Sequence, residues 1–296
     1  MKTIISVLLL IAISWCCQNN NGANETDQED ALLETILDLP ERSVTAYSGS
    51  DLIQILIPLS LREREERVYN EIMSGNIPTF LRELTSIDVV VELDGLVWNL
   101  SYYVTPDYMA VGSDEDYFLI PMTPILAQEI ADSLGLCLIT RKMVDAVWLH
   151  AELQVEPIPI DPSSDMVTIP VFADHNELVG TQRMETIDQF PLGTLVAGNK
   201  KDVVLSNQIV NNENKVVIYG WHRTNGQPIQ PLYTGHINWY ADYSHGIRFA
   251  HAQCRVNGEE RSVSDVLKDP GLYPLLSDED GPMTMPRYPV DKSSYP

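Results

Sequence analysis

Histidine, carboxylate and aromatic residues are concentrated in one stretch in the last third of the chain. Four of the six histidines fall between residues 222 and 251. Three of these four stand beside a glycine or a tryptophan, and Asp242 precedes His245 by three residues. Titratable side chains next to glycine are typical of the loops and strand ends that line a cleft. The stretch therefore predicts a cleft with four candidate catalytic residues: His222, His236, Asp242 and His245.

Two kinds of chemistry fit these residue types. Imidazole and carboxylate groups bind zinc, and a catalytic zinc needs three protein ligands and one open position. The possible ligands are His222, His236 and His245, although their spacing matches no compact motif such as HExxH. Alternatively, His245 acts without a metal as a general acid or base that Asp242 orients. A purely structural role, in which these side chains tie loops together by hydrogen bonds, also stays open.

Cationic and aromatic residues near the histidines are candidates for substrate binding. Two adjacent lysines follow the turn at Gly198-Asn199, and paired lysines are unusual in so acidic a chain. They could hold a carboxylate or phosphate group of a substrate, or they could simply lie in an exposed loop. An arginine nearby could stabilise developing negative charge, and aromatic rings could stack on the substrate. The candidate substrate-binding residues are Lys200, Lys201, Trp221, Tyr233, Tyr240 and Arg248.

The first seventeen residues have the composition of a lipoprotein-type signal peptide. Lys2 supplies a positive start, and an apolar run follows from Ile4 to Ile13. Ser14 and Cys16 suit cleavage before Cys17, whereas Trp15 between them departs from the lipoprotein pattern. The apolar run has the length of a secretory signal and is too short to span a bilayer. We therefore expect lipidation at Cys17 and anchoring in a bacterial cell envelope, in the outer membrane or the periplasm, or else secretion. The polar tract after it predicts a tether over residues 18–44 with a short helix at about 29–39.

The charge balance excludes one class of partner. The chain has 42 acidic and 19 basic residues, for a net charge of −23. So acidic a protein repels phosphate backbones, and we expect no nucleic-acid partner. Only two cysteines remain outside the signal, which is too few for a disulfide framework. Cys137 lies in the apolar run LGLCLI, which predicts a buried thiol.

Turn and capping signals divide the rest of the chain into short elements. Asp94-Gly95 and Asn257-Gly258 predict tight hairpins, and a second strand pair is expected around the acidic turn at 113–116. Ser60 is expected to cap a helix whose alternating charges predict a solvent-facing side. Residues 123–150 read as two helices, and residues 156–170 as a proline-rich connection. His175 is assigned to a loop in a structural role.

Strands and helices do not alternate regularly along the chain. This favours an α+β fold with a largely antiparallel sheet and interspersed helices. We expect a single domain over residues 45–285 and an irregular tail over 286–296.

Several segments, in order and spacing, resemble a family of exported bacterial proteins. They are GNIPTFLREL, TPDYMAVGSDEDYF, MTPILAQEIADSLG, TRKMVDAVW, LVAGNKKDVVL, IYGWH, GQPIQPLYTGH and YADYSHGIR. The resemblance runs from about residue 75 to about residue 280. It implies export and a single domain, and it implies no particular activity. In that family a histidine often stands where this chain has Asn199, so one possible imidazole of the site is missing here.

The expected function is that of an envelope hydrolase acting on a polar polymer, such as peptidoglycan or another glycan. The alternative is a non-catalytic surface protein that binds a glycan or a peptide through stacked aromatic rings. Geometry separates the two, because a hydrolase needs imidazoles and a carboxylate that converge on one point. A binding protein needs exposed aromatic faces in a row and tolerates scattered histidines.

Overall fold

A computed structural model of the protein describes residues 35–296. In this part of the chain, six helices and mostly antiparallel sheets form a mixed α+β fold, which confirms the predicted fold class. The predicted signal peptide, the lipidation site Cys17 and the tether up to residue 34 lie outside the described residues. No helix among residues 35–296 is long and apolar enough to cross a membrane.

The elements are short. The helices are α1 Gly49–Leu56, α2 Leu61–Met73, α3 Pro124–Leu134, α4 Arg141–His150, α5 Ile169–Glu185 and α6 Val263–Lys268. The strands are β1 Thr85–Leu93, β2 Leu96–Val104, β3 Ala110–Gly112, β4 Tyr117–Leu119, β5 Leu136–Leu138, β6 Leu153–Gln154, β7 Val196–Ala197, β8 Lys201–Val203, β9 Ile218–His222, β10 Pro228–Tyr233, β11 His245–Gly246, β12 Phe249–His251, β13 Gln253–Val256 and β14 Glu259–Ser262.

Two larger sheets organise these strands. The six-stranded sheet has the order β14-β13-β2-β12-β5, with β1 paired to β2, and its strand pairs are antiparallel. The four-stranded sheet has the order β10-β9-β8-β11. In the second sheet β11 runs parallel to β8. Buried apolar side chains from both sheets and from the helices join one main hydrophobic core.

The predicted turns and caps are confirmed where local chemistry sets them. Asp94 and Gly95 have φ angles of 52° and 75°, and the Asn257-Gly258 turn also has positive φ at both positions. Positive φ at both central residues is what a type I′ hairpin requires. Ser60 caps α2 in a reciprocal capping box with Glu63. These short-range signals place the hairpins and helix starts correctly.

Two predictions near the start of the described chain are wrong. Residues 35–39, the described part of the helix expected at 29–39, are not helical, because Ile36 pairs with Glu83 in an antiparallel bridge. The charged side of α2 is not wholly solvent-facing either. Glu65 is 2% exposed and accepts hydrogen bonds from the backbone and hydroxyl of Thr123. Neighbouring hydrogen-bond donors make this burial possible.

The expected loop around His175 is part of helix α5. The helix begins after Thr168 with Pro170 in its first turn, and its apolar residues are not confined to one stripe. That weak periodicity explains why the sequence pattern missed it. His175 is fully buried on this helix. The tail over 286–296 is mostly irregular, as predicted, but the buried Tyr288 donates a hydrogen bond to the carbonyl of Val204 and so ties it down.

Candidate functional site

The parallel pairing of β8 with β11 brings together residues that are far apart in sequence. His245 lies opposite Lys201 in the register of the two strands. The backbone N–H of Lys201 donates to the carbonyl of Ser244 at 2.9 Å. Asp242 lies just before β11. Lys201, Asp242 and His245 therefore meet at one point of the sheet, and we refer to them as the Lys201–Asp242–His245 cluster.

This cluster contains a buried ion pair. The ammonium Nζ of Lys201 lies 3.1 Å from Oδ2 of Asp242, with the side chains 9% and 2% exposed. The other carboxylate oxygen accepts hydrogen bonds from the backbone and hydroxyl of Ser244. Burial would raise the pKa of Asp242, but His245, Lys201 and the Ser244 hydrogen bonds together lower it well below its ordinary value. The carboxylate is therefore charged at neutral pH.

His245 is the least satisfied group of the cluster. Its Nε2 lies 3.9 Å from Oδ2 of Asp242, too far for a hydrogen bond, and its side chain is fully buried. Neither ring nitrogen has a hydrogen-bond partner among the described residues. Burial lowers the pKa of His245 to about 3 against the opposing effect of Asp242, so the ring is neutral. A buried imidazole with free ring nitrogens is costly, and such groups concentrate at functional sites.

Aromatic rings connect this buried histidine with the surface. The ring of Tyr240 lies 5.8 Å from that of His245, and its hydroxyl lies 3.3 Å from Oδ2 of Asp242. His236 stacks on Tyr240 at 4.0 Å between ring centres, and Tyr233 meets His236 edge-on at 5.3 Å. Tyr233 is 45% exposed, and His236 and Tyr240 are partly exposed. The rings form a row of contacts from the surface to His245, and His236 contacts the cluster through Tyr240.

Lys200 immediately precedes β8, and its side chain has other hydrogen-bond partners than that of Lys201. Its Nζ donates to the carbonyl of Tyr243 at 2.6 Å and to Nδ1 of His175 at 2.9 Å. Nε2 of His175 lies 3.1 Å from the carbonyl of Ile158, which assigns the ring proton to Nε2. Burial lowers the pKa of Lys200 to about 7 and that of His175 to about 3. Lys200 thus holds the Asp242–His245 segment in place from inside the protein, and it does not lie at the rim of a cleft.

The sequence interpretation missed His175 as a neighbour of the site. The buried residues Phe172, His175 and Val179 are spaced as on one face of a helix. This helical spacing is the sequence signal that indicates a buried position for His175.

His222 does not join the cluster. Its Nε2 lies 3.0 Å from Oδ1 of Asp145, and its ring stacks on Trp148. It lies beside Asp202, whose side chain leaves β8 on the face opposite to Lys201. The positive φ of 56° at Trp221 interrupts the regular alternation of β9 just before His222. The structure therefore places His222 with Asp145 and Trp148 and not with His245.

The expected zinc ligands are not brought together. Within residues 35–296, no group of three His, Cys, Asp or Glu side chains could hold a metal ion. His222 lies with Asp145, whereas His236 and His245 flank the ring of Tyr240. The possible zinc site at His222, His236 and His245 does not fit these residues as they stand.

Besides Lys200 and Lys201, two more of the predicted substrate-binding residues are internal. Arg248 is 1% exposed, and its guanidinium donates to the carbonyls of Thr105 and Val196 at 2.5 and 2.6 Å. It supports the fold and is not free to meet a substrate. Trp221 is 7% exposed and lies 5.9 Å from the Lys201 ammonium, so it forms a wall behind the cluster and not a stacking platform. Tyr233 and Tyr240 remain available at the surface.

Comparison of the chain with family models, with curated proteins and with solved structures finds no match.

Proposed function

We propose that this protein is an envelope hydrolase that cleaves a polar polymer, peptidoglycan or another glycan, by acid–base chemistry at the Lys201–Asp242–His245 cluster. The observation that carries the proposal is the buried His245 ring beside a charged carboxylate, with no hydrogen-bond partner for either ring nitrogen among residues 35–296. A neutral imidazole offers one proton acceptor and one donor. That is the requirement for a group that takes a proton from water and later returns it.

The cluster supplies a role for each side chain. His245 accepts a proton from the attacking water, and the charge of Asp242 stabilises the imidazolium that forms. Lys201 stabilises the negative charge that develops on the leaving oxygen. The glycosidic bond breaks as the water attacks, the leaving oxygen takes a proton from solvent, and the imidazolium then releases its proton to solvent. The partly exposed rings of His236 and Tyr240 lie between the cluster and the surface.

The test is a single substitution with a matched control. His245→Gln should lower the release of soluble fragments from purified peptidoglycan by at least about a hundredfold, the usual scale for losing a general acid or base. His150→Gln changes an exposed histidine at the end of α4 and should leave the rate unchanged. Release at the wild-type rate by His245→Gln would reject the proposal. Failure of the wild-type protein to cleave any glycan tested would reject it too.

A second candidate function rests on the exposed part of the row of aromatic rings that ends at His245. The partly exposed rings of Tyr233, His236 and Tyr240 support a non-catalytic glycan- or peptide-binding surface. In that case Tyr233→Ala weakens retention on the insoluble polymer, and the wild-type protein releases no fragments. His245→Gln then leaves retention unchanged.

We further propose that the protein is exported and held in the cell envelope by a lipid on Cys17. The positive, apolar and cysteine segments of residues 1–17 support this. Membrane fractionation of the wild type and of Cys17→Ser tests it, with the variant expected in the soluble fraction. Equal release of both proteins would reject the lipid anchor in favour of secretion.

A further inference from the structure

A groove lies next to the ring of Tyr240, outside the proposed cluster. It has a volume of about 420 Å³, within the usual range for small-ligand sites. Its walls include Arg64 of α2, Met166, and the consecutive residues Trp239 and Tyr240. Because the hydroxyl of Tyr240 contacts Asp242, the same residue lines the groove and touches the cluster. A ligand in the groove would lie beside the proposed cleavage point.

Arg64 is the chemically distinctive residue of this groove. Its guanidinium packs over the ring of Phe172 at 5.5 Å but makes no hydrogen bond or ion pair with any described residue. The two other arginines of α2 use their donors, Arg62 on the carbonyl of Lys292 and Arg67 on Glu71. Arginine keeps its charge in proteins and presents a rigid fork of donors that fits a carboxylate. The free donors in so acidic a protein therefore mark a place for an anion.

The carboxylate next to Arg64 in sequence does not neutralise it by direct contact. Glu65 is turned inward, where Thr123 and the hydroxyl of Tyr295 bond to it. Burial raises the pKa of Glu65. The donors of Arg64 are left for a bound group.

The other residues that line the groove indicate the chemistry of the ligand next to its anionic group. Trp239 and Tyr240 are both partly exposed and adjoin each other in the groove, with Met166 and Val167 also lining it. Aromatic rings with one apolar face and one polar edge suit the flat apolar faces of sugar rings. The hydroxyls of Ser163 and Ser164 lie on exposed residues of the same groove and add polar contacts. The combination fits a sugar more closely than a plain apolar chain.

We propose that the groove binds a sugar unit that carries a carboxylate, with the Arg64 guanidinium paired to that carboxylate and the sugar stacked on Trp239 and Tyr240. The inference rests on the proposed function in placing this sugar next to the hydrolysed bond. It narrows the substrate to an acidic glycan. In peptidoglycan it selects N-acetylmuramic acid units whose lactyl carboxylate carries no stem peptide over the neutral N-acetylglucosamine unit.

These two sugars form a matched pair of probes, because they differ only in the lactyl ether that bears the carboxylate. We expect wild-type protein to bind N-acetylmuramic acid about tenfold more tightly in an NMR titration at neutral pH, since charge-assisted bidentate pairs are the strong ones. Arg64→Gln should bring the two affinities to within about twofold, and Arg64→Lys should keep part of the preference. Arg62→Gln changes a neighbouring arginine outside the groove and should keep all of it.

Two outcomes would overturn the inference: equal affinity of the wild type for both sugars, or an unchanged preference in Arg64→Gln. If Arg64→Gln does not fold, the wild-type preference must still fall with added salt, as a charge pair requires. His245→Gln separates this inference from the proposed function. That variant should keep the sugar preference while losing cleavage. If the wild-type protein prefers N-acetylmuramic acid but cleaves no glycan, the hydrolase proposal is rejected and the inference about the groove stands.

Discussion

The ammonium of Lys201 and the carboxylate of Asp242 form an ion pair, 3.1 Å apart, that is almost completely withdrawn from water. The two residues come from different segments, which the parallel pairing of β8 and β11 brings together. Breaking a buried pair leaves one charge without compensation, which costs more than the pair contributes net. The same contact that tunes the proposed site therefore also couples it to the stability of the sheet.

Removal of the lysine charge is expected to destabilise the protein strongly. Lys201→Met should lower the free energy of unfolding by about 3–5 kcal/mol, because the Asp242 carboxylate stays buried without its partner. The double variant Lys201→Met/Asp242→Leu should recover much of this loss. Urea unfolding measures both.

The matched control for this prediction is a solvent-exposed pair. Arg223 lies 3.2 Å from Glu156, and both side chains are more than 40% exposed. Arg223→Met should cost no more than about 1 kcal/mol. A Lys201→Met variant as stable as Arg223→Met would contradict the role given to the buried pair.

His245 and His175 are expected to make stability rise with pH in the acidic range, against the opposite contribution of Asp202, whose pKa burial raises to about 6. Burial lowers the pKa of His245 and of His175 to about 3, whereas an unfolded histidine titrates near 6.5. Between these values the unfolded chain binds protons that the native state does not. Each histidine therefore adds about 1.4 kcal/mol per pH unit to the slope of the unfolding free energy. The lowered pKa of Asp242 acts in the same direction below about pH 4.

Urea unfolding at a series of pH values between about 4.5 and 6.5 checks this slope. His245→Gln removes one of the two groups and should give a flatter profile than the wild type. His150→Gln, which changes an exposed histidine, should leave the slope as it is. A His245→Gln profile as steep as that of the wild type would show that the His245 ring is protonated in the native state.

The sequence predicts best those features that residues adjacent in the chain determine. The turn at Asp94-Gly95 and the cap at Ser60 need only local backbone and side-chain chemistry, and both occur where expected. Asp242 and His245 are three residues apart, and they do lie together. The antiparallel α+β class follows from these elements and their irregular order.

The features that the sequence does not predict depend on contacts between segments that are distant in the chain. The parallel pairing that sets Lys201 against His245 leaves no periodic signal in such short strands. Proximity in sequence groups His222 with His245. The positive φ at Trp221 breaks the strand alternation just before His222, and the His222 ring lies beside Asp145 instead. The contact between Lys200 and His175 needed a helix that lacks a clear apolar stripe.

A methyl group at Gly246 is expected to disturb the site. A Cβ there would lie 2.4 Å from Cδ1 of Tyr108 and 2.7 Å from Cβ of Lys200, closer than side chains can approach. Gly246→Ala should therefore lower the free energy of unfolding by about 1–3 kcal/mol. It should also reduce activity, since His245 is the adjacent residue. Gly180→Ala in α5 meets no atom within 4 Å and should be neutral or stabilising by about 0.5–1 kcal/mol. Equal stability of the two alanine variants would argue against close packing at Gly246.

The two thiols of the described chain are expected to be inert and unpaired. Cys137 and Cys254 are both free, and burial raises the pKa of each to about 12. Because the thiolate is the reactive form, neither residue should react with iodoacetamide in the native protein at about pH 8. Both should react once the chain is unfolded in urea, as peptide mass spectrometry can follow. Cys137→Ser and Cys254→Ser should fold with or without a reductant. A variant that unfolds under oxidising conditions, together with a wild type that unfolds on reduction, would instead indicate a disulfide between them.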